Sequence, residues 1–225
     1  MSYPDYKTYE KLYKRYLRKD PGDLLCASSF RDNLEGIAVL DLCGGNGRFS
    51  IMAAKRGAKV TLIDQERKMV PENLTEDFGI EVIIDDVSTG LDTFLKQRRR
   101  FDLVVCHQAI TYWLDAVTAR KLSYVMHLGS VFVFNTFNQE PSPGVTIKEY
   151  EINFYKFREV ISYEPSTRTV SHVQTLLNGD DGPLSHSTVF RFIPMEDFFD
   201  ILYTSPFYQV TQTMFGKTTI WTCKH

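Results

Sequence analysis

Cysteine, one-signed charge and long apolar runs are all scarce in this chain, and each scarcity excludes something. The four cysteines, Cys26, Cys43, Cys106 and Cys223, are scattered, with no Cys-x-x-Cys or Cys/His spacing. They imply neither a disulfide framework nor a zinc site, and no metal is expected. Lys and Arg number 26 against 28 Asp and Glu, a net charge of −2. Such a balance carries no electrostatic footprint for nucleic acid, so none is expected as a partner. The basic run Lys96-Gln97-Arg98-Arg99-Arg100 closes an expected helix, where cations suit the dipole. No stretch approaches 18 consecutive apolar residues, so no membrane span is expected. The first residues are charged from position 5 and lack the apolar stretch of a secretory signal, and a cytoplasmic location is the expectation. What remains is a chain of 225 residues, 43% hydrophobic, sized for one soluble domain carrying at most a subdomain.

Residues 5–18 read as a helix, with Tyr6, Tyr9, Leu12, Tyr13, Tyr16 and Leu17 at three- and four-residue spacing. A shorter one covers 23–30. From residue 37 short apolar, β-branched runs alternate with helical ones. Strands are expected at 37–42, 59–64, 81–84, 101–106 and 130–134, with helices at 47–56, 66–71, 91–97 and 114–128. That alternation implies a doubly wound, mostly parallel sheet covered on both faces. The rhythm breaks after Asn138. Strand-like stretches at 145–152, 155–163, 169–177 and 187–193, with a turn at Asn178-Gly179-Asp180-Asp181-Gly182, indicate an inserted antiparallel sheet. A helix at 195–203 and two strands, 208–214 and 218–223, close the chain.

The most informative run is Val39-Leu40-Asp41-Leu42-Cys43-Gly44-Gly45-Asn46-Gly47-Arg48-Phe49. A buried strand breaks into a glycine turn that opens a helix with its N–H groups aimed outward. GNGRFS approximates the dinucleotide fingerprint G-x-G-x-x-G, with Ser50 in the third place. Asp41 ends the strand before the glycines, and Asp64, 17 residues after Gly47, ends the next strand. A pyrophosphate would be repelled by Asp41, whereas an ammonium would be attracted. Two carboxylates around a glycine turn suit a ligand with an ammonium at one end and a ribose diol at the other, as in S-adenosylmethionine (SAM). Asp41 as a simple turn cap is the alternative. Asp85-Asp86 follows the third strand, either to meet an adenine amino group or to cap the next helix. The fourth strand ends in Cys106-His107-Gln108, which would border the reactive part of the ligand.

VLDLCGGNGRFS, VTLIDQE, IIDDV and FDLVVCHQAITYWLD, in this order and spacing, resemble class I SAM-dependent methyltransferases. The resemblance covers about 37–138 and 194–225. It implies a seven-stranded sheet closed by an antiparallel hairpin of its sixth and seventh strands. It also implies SAM as cofactor. Asp41, Gly44, Gly45 and Gly47 would hold its methionine part, Asp64 with Gln65 its ribose, Asp86 and Val87 its adenine, and Cys106 and His107 would lie along the methionine chain. Cys43 stands where the commonest motif has glycine. The insertion resembles that of small-molecule methyltransferases, where it roofs the acceptor pocket or pairs two subunits as a homodimer. The Asn/Asp-Pro-Pro-aromatic motif of base-amino methyltransferases is missing.

The expected domains are a helical lid over 1–36, a SAM-binding core of 37–138 and 194–225, and the insertion 139–193. Tyr13 and Tyr16 are expected to fold over SAM. The expected activity is methyl transfer from SAM to an amine or hydroxyl of a small-molecule acceptor. The catalytic candidates are His107, His172 and Tyr112, with His186 as a further base. Trp113, Asn135, Asn138, Tyr150 and Arg191 are candidates for holding the acceptor. A SAM-binding sensor or scaffold without turnover is the alternative.

Overall fold

The computed structural model describes residues 33–137, 140–152, 154–179, 182–215 and 218–225. The helices expected at 5–18 and 23–30 lie outside these residues. The described residues form two compact units, 33–137 with 194–225, and 140–193. In chain order the strands are β1 (Ala38–Leu42), β2 (Lys59–Asp64), β3 (Glu81–Ile84), β4 (Phe101–Cys106), β5 (Met126–Phe137), β6 (Gly144–Ile152), β7 (Tyr155–Glu164), β8 (Thr169–Leu176), β9 (Leu184–Arg191), β10 (Gln209–Phe215) and β11 (Thr218–Lys224). The helices are α1 (Arg48–Ala54), α2 (Leu74–Phe78), α3 (Val87–Gln97), α4 (Ala116–Tyr124) and α5 (Met195–Tyr203). No helix among the described residues is long and apolar enough to cross a membrane.

The first unit is a seven-stranded sheet in the order β10-β11-β5-β4-β1-β2-β3. β1 to β5 run parallel, while β11 pairs antiparallel with both β5 and β10. This is the expected doubly wound sheet with its closing hairpin. Val39, Leu40 and Leu42 of β1 and Leu103 to Cys106 of β4 have no exposed surface. Strands buried on both faces need unbroken apolar runs, which is why these read so clearly in the sequence.

Several boundaries differ from the sequence expectation, and the helix expected at 66–71 is only a 3₁₀ turn, Arg67–Met69. The Asp86 side chain accepts the Thr89 N–H at 3.0 Å, so α3 starts at Val87 rather than 91. Helix α4, expected over 114–128, runs only from Ala116 to Tyr124. Val125 and Met126 are fully buried and continue the apolar spacing, but Leu128 is 89% exposed. β5 already begins at Met126, and it passes through Gly129 at φ +89°, in the stretch where its register with β4 shifts.

An aromatic group consolidates the hairpin side of this sheet. Trp221 of β11 is fully buried; its ring stacks on Phe134 of β5 at 5.8 Å and lies 5.6 Å from Phe198 of α5. Its indole Nε1 donates to Thr136 Oγ1 at 2.9 Å. Thr136→Val would strand that buried donor, so we expect a loss of about 1–3 kcal/mol in denaturant unfolding. SAM affinity should not change, because Thr136 lies two strands from β1.

The second unit is a four-stranded antiparallel sheet, β6-β7-β8-β9, the expected insertion. β9 starts at Leu184 rather than at 187. Register sorts its side chains into two faces. Lys148, Glu159, Gln174 and His186 lie in one row across the four strands, with Phe157, Tyr163, Val170 and Leu176 of the same face buried. The other face leaves Val145, Ile147 and Val189 exposed.

Candidate functional site

β2 and β3 lie on one side of β1, and β4 and β5 on the other. The carboxyl ends of β1 and β4 therefore frame the topological switch point, where open α/β sheets take ligands. The turn after β1 is shaped by close approach. A Cβ on Gly44 would stand 2.6 Å from Leu62 Cγ and 3.0 Å from Asp41 Oδ2. Gly47 caps α1 at φ +71°, a left-handed conformation glycine adopts without cost. Cys43, the departure from the family's glycine, sits at φ +54°. A glycine is the easier residue in that conformation, so the cysteine carries some backbone strain. Its thiol hydrogen-bonds with that of Cys106, which together with burial pushes the Cys43 thiol well above its usual range.

Asp41 is 1% exposed. Ser50 Oγ donates to its Oδ2 at 2.7 Å, so the third residue of the fingerprint serves the carboxylate. Burial pushes the Asp41 carboxyl up to about 7; the Ser50 hydrogen bond pulls the other way and the charge of Asp64 adds to the rise. No cation among the described residues features in the groups acting on it. A buried acid whose charge lacks a counterpart is suited to a ligand ammonium.

Asp64 is held from two sides. Its Oδ2 accepts the Gly45 N–H at 2.9 Å and its Oδ1 the Glu66 N–H at 2.8 Å. Burial raises its carboxyl, against those two hydrogen bonds. Asp41, Gly44, Gly45, Gly47 and Asp64 thus form one cradle. Gln65 is exposed beside it. The Asp86 carboxylate is lowered by hydrogen bonds from the Thr89 side chain and backbone, so it works as the cap of α3, with buried Val87 next to it.

The segment after β4 is pinned by Asn135. Gln108 takes φ +61°, and its N–H donates to Asn135 Oδ1 at 2.7 Å. Asn135 therefore ties β5 to the strand-four loop. His107 and Tyr112 are half-buried there. Trp113 lies 6.3 Å from Phe132, and its Nε1 is buried with no hydrogen-bond partner among the described residues. These residues cluster at the switch point with Cys106, which is fully buried.

The remaining candidates belong to the second unit or fall outside the described residues. Tyr150 and His172 share the buried face of the four-stranded sheet, while Arg191, paired with Thr169, lies on the opposite face and is exposed. His186 shares the face of His172, and burial pushes it down to about 4. Tyr13, Tyr16 and Asn138 lie outside the described residues. Sequence reasoning missed Glu159, Gln174 and Gln108. For the first two, no signal was available, because cross-strand neighbours are a property of register.

The methyltransferase-domain family matches residues 39–127, the stretch from β1 to the start of β5. No curated protein matches the chain. Among solved structures, a SAM-dependent methyltransferase from Clostridium acetobutylicum has a TM-score of 0.72 at 18% identity, covering 97% of this chain and 96% of that one. The amino pentose methyltransferase CalS10 from Micromonospora echinaspora, solved with SAM bound, has a TM-score of 0.70 at 14% identity, covering 100% of both. The CcbJ methyltransferase from Streptomyces caelestis has a TM-score of 0.70 at 16% identity, covering 91% of this chain and 88% of that one. At such identities the likeness lies in the fold, and it extends through the insertion.

Proposed function

We propose that this chain is a class I SAM-dependent methyltransferase and that it methylates an amine or hydroxyl of a small-molecule acceptor. The cofactor reading is carried by one observation: two buried carboxylates, Asp41 and Asp64, bracket a turn too tight for any side chain at Gly44. When bound, SAM supplies a methyl group already activated by its sulfonium charge. The protein's part is then to bind, orient and exclude water. Asp41 would hold the ammonium, Asp64 and Gln65 the ribose hydroxyls, and Asp86 and Val87 the adenine. Cys106 and His107 would line the methionine chain.

The small-molecule acceptor is supported by the neighbours that share the insertion, which include an amino pentose methyltransferase and a sugar N-methyltransferase. A neutral amine needs only alignment, whereas a hydroxyl benefits from a base, for which His107 is the first candidate. Tyr112 and Trp113 would shape the acceptor side of the same loop. A cytoplasmic enzyme without a nucleic-acid partner fits the four scattered cysteines and the net charge of −2. Pairing of two subunits would use the face bearing Val145, Ile147 and Val189.

Incubation with labelled SAM and a panel of amines and alcohols tests this reading through S-adenosylhomocysteine release. SAM bound without turnover of any acceptor would leave a sensor or scaffold instead. Asp64→Asn offers a sharper check on the cofactor. Both carboxylate oxygens accept backbone N–H groups, so an amide nitrogen must face one of those donors. We expect SAM affinity to fall by about tenfold, the loss of one charge-assisted hydrogen bond. Unchanged calorimetric affinity would exclude Asp64 from the site.

A further inference from the structure

Cys43 and Cys106 lie far apart in the chain, yet the fold brings their thiols together beside the cradle. Leu42, the last residue of β1, is in register with Cys106, the last residue of β4, so Cys43 is the first residue beyond that pairing. Continued strand alternation would send its side chain to the face opposite Cys106. Instead Cys43 takes φ +54°, the alternation breaks, and its thiol hydrogen-bonds with that of Cys106. A cysteine held in a conformation that suits glycine is strain that packing alone does not require. Adjacent strands run about 4.8 Å apart, within the span of roughly 4.4–6.8 Å between Cα atoms that a disulfide bridges. Neither thiol is in a disulfide. Cys106 has no exposed surface, whereas Cys43 is half-buried and can be reached from solvent.

We propose that Cys43 and Cys106 form a redox switch in the cradle, closed to a disulfide by a peroxide or a small disulfide, and that the closed form binds SAM weakly; the effect on SAM rests on the cofactor reading above. With hydrogen peroxide, the Cys43 thiol becomes a sulfenic acid and one water leaves. The Cys106 thiol then attacks that sulfur, the S–S bond forms, and the hydroxyl leaves as a second water. Two electrons thus pass from the thiol pair to the peroxide. The consequence for the cradle follows from how the turn is pinned. The Gly44 N–H donates to the Ile63 carbonyl at 3.1 Å and the Gly45 N–H to Asp64 Oδ2 at 2.9 Å, both on the β2 side. An S–S bond of about 2.05 Å draws Cys43 towards β4 and pulls against both. Cys106 and burial hold the Cys43 thiol well above its usual range, so little thiolate exists at neutral pH and closure is slow. The pair therefore answers sustained oxidation and not a brief pulse.

The test uses the full chain, first reduced and then treated with hydrogen peroxide or glutathione disulfide. Peptide mapping by mass spectrometry without reductant should find the Cys43 and Cys106 peptides joined, with two hydrogens lost. Calorimetry on that form should show the SAM dissociation constant raised by roughly tenfold or more, the worth of one displaced hydrogen bond to a charged group. Dithiothreitol should restore it. Cys43→Gly, which relieves the positive φ, should show one SAM affinity before and after the oxidant, which separates the pair from oxidation elsewhere in the chain. Three results overturn the switch and leave the cofactor reading standing: no Cys43–Cys106 link, a link from Cys43 to Cys26 or Cys223 in its place, or the expected link with SAM affinity unchanged. Reduced wild-type protein that binds no SAM overturns the cofactor reading, and the switch with it, whether or not the link forms.

Discussion

Gly44→Val is expected to destabilise the fold by about 1–3 kcal/mol through overpacking and to weaken SAM binding by roughly 10–10²-fold through displacement of a charged contact, at about 1.5–3 kcal/mol. The first cost follows from Leu62, whose Cγ would lie 2.6 Å from the new Cβ. Leu62 is fully buried in β2 and has no free space to yield. The second follows from Asp41 Oδ2 at 3.0 Å, which a valine methyl would push away from the ammonium it is to hold. Calorimetry with SAM and S-adenosylhomocysteine measures the loss, and a denaturant titration separates it from destabilisation. Wild-type affinity in a folded Gly44→Val protein would show that the ligand does not use this turn.

SAM affinity should also fall steeply as pH drops below 7. Burial raises the folded Asp41 carboxyl to about 7, against about 3.9 in an unfolded chain. Between those values the free native state binds the proton that the unfolded state has lost. Its stability is therefore fully present below about pH 4 and declines as pH rises towards 7. An ammonium placed beside Asp41 favours the ionised form, so binding at pH 6.5 should expel between half and one proton. Below 7 the affinity should weaken by up to about tenfold per pH unit, since one unit is worth about 1.4 kcal/mol. Above about pH 8 the ligand's own α-amino group loses its charge, so affinity peaks between. Calorimetry in buffers of different ionisation enthalpy counts the proton, and Asp41→Asn should abolish both the release and the slope. A proton count of zero in wild type would remove the ammonium from Asp41.

The cradle was legible because its parts are local. A continuous apolar run, a glycine turn and a closing acid each announce themselves within a few residues, and β1, β2 and β4 followed directly. Helix α2 escaped notice because five residues beside Pro71 and Asn73 hold too short a period to detect. The end of α4 was overrun because Val125 and Met126 are buried in the approach to β5, which mimics helical spacing. Tyr150 and His172 were picked out as aromatic and titratable residues, but their alignment with Glu159 and Gln174, and the placement of Arg191 on the other face, depend on register. Asn135 is a candidate for the acceptor from its place on β5, but the Gln108 N–H that its Oδ1 also receives is a tie between two strand ends that nothing in the sequence announces.

The place of β11 also bears on the order in which the molecule assembles. β11 is not an edge: it lies between β10 and β5, and Trp221 pairs with Phe134 from far upstream. Until it arrives, β5 is an open border carrying Phe132, Phe134 and unpaired N–H and C=O groups, the kind of surface that recruits strands from other chains. The closure is also slow in kind, because a long loop must be confined before its contacts stabilise anything. Off-pathway association during refolding should therefore begin at β5, and a short peptide copying 218–224 should compete with it during that window while leaving the finished protein untouched.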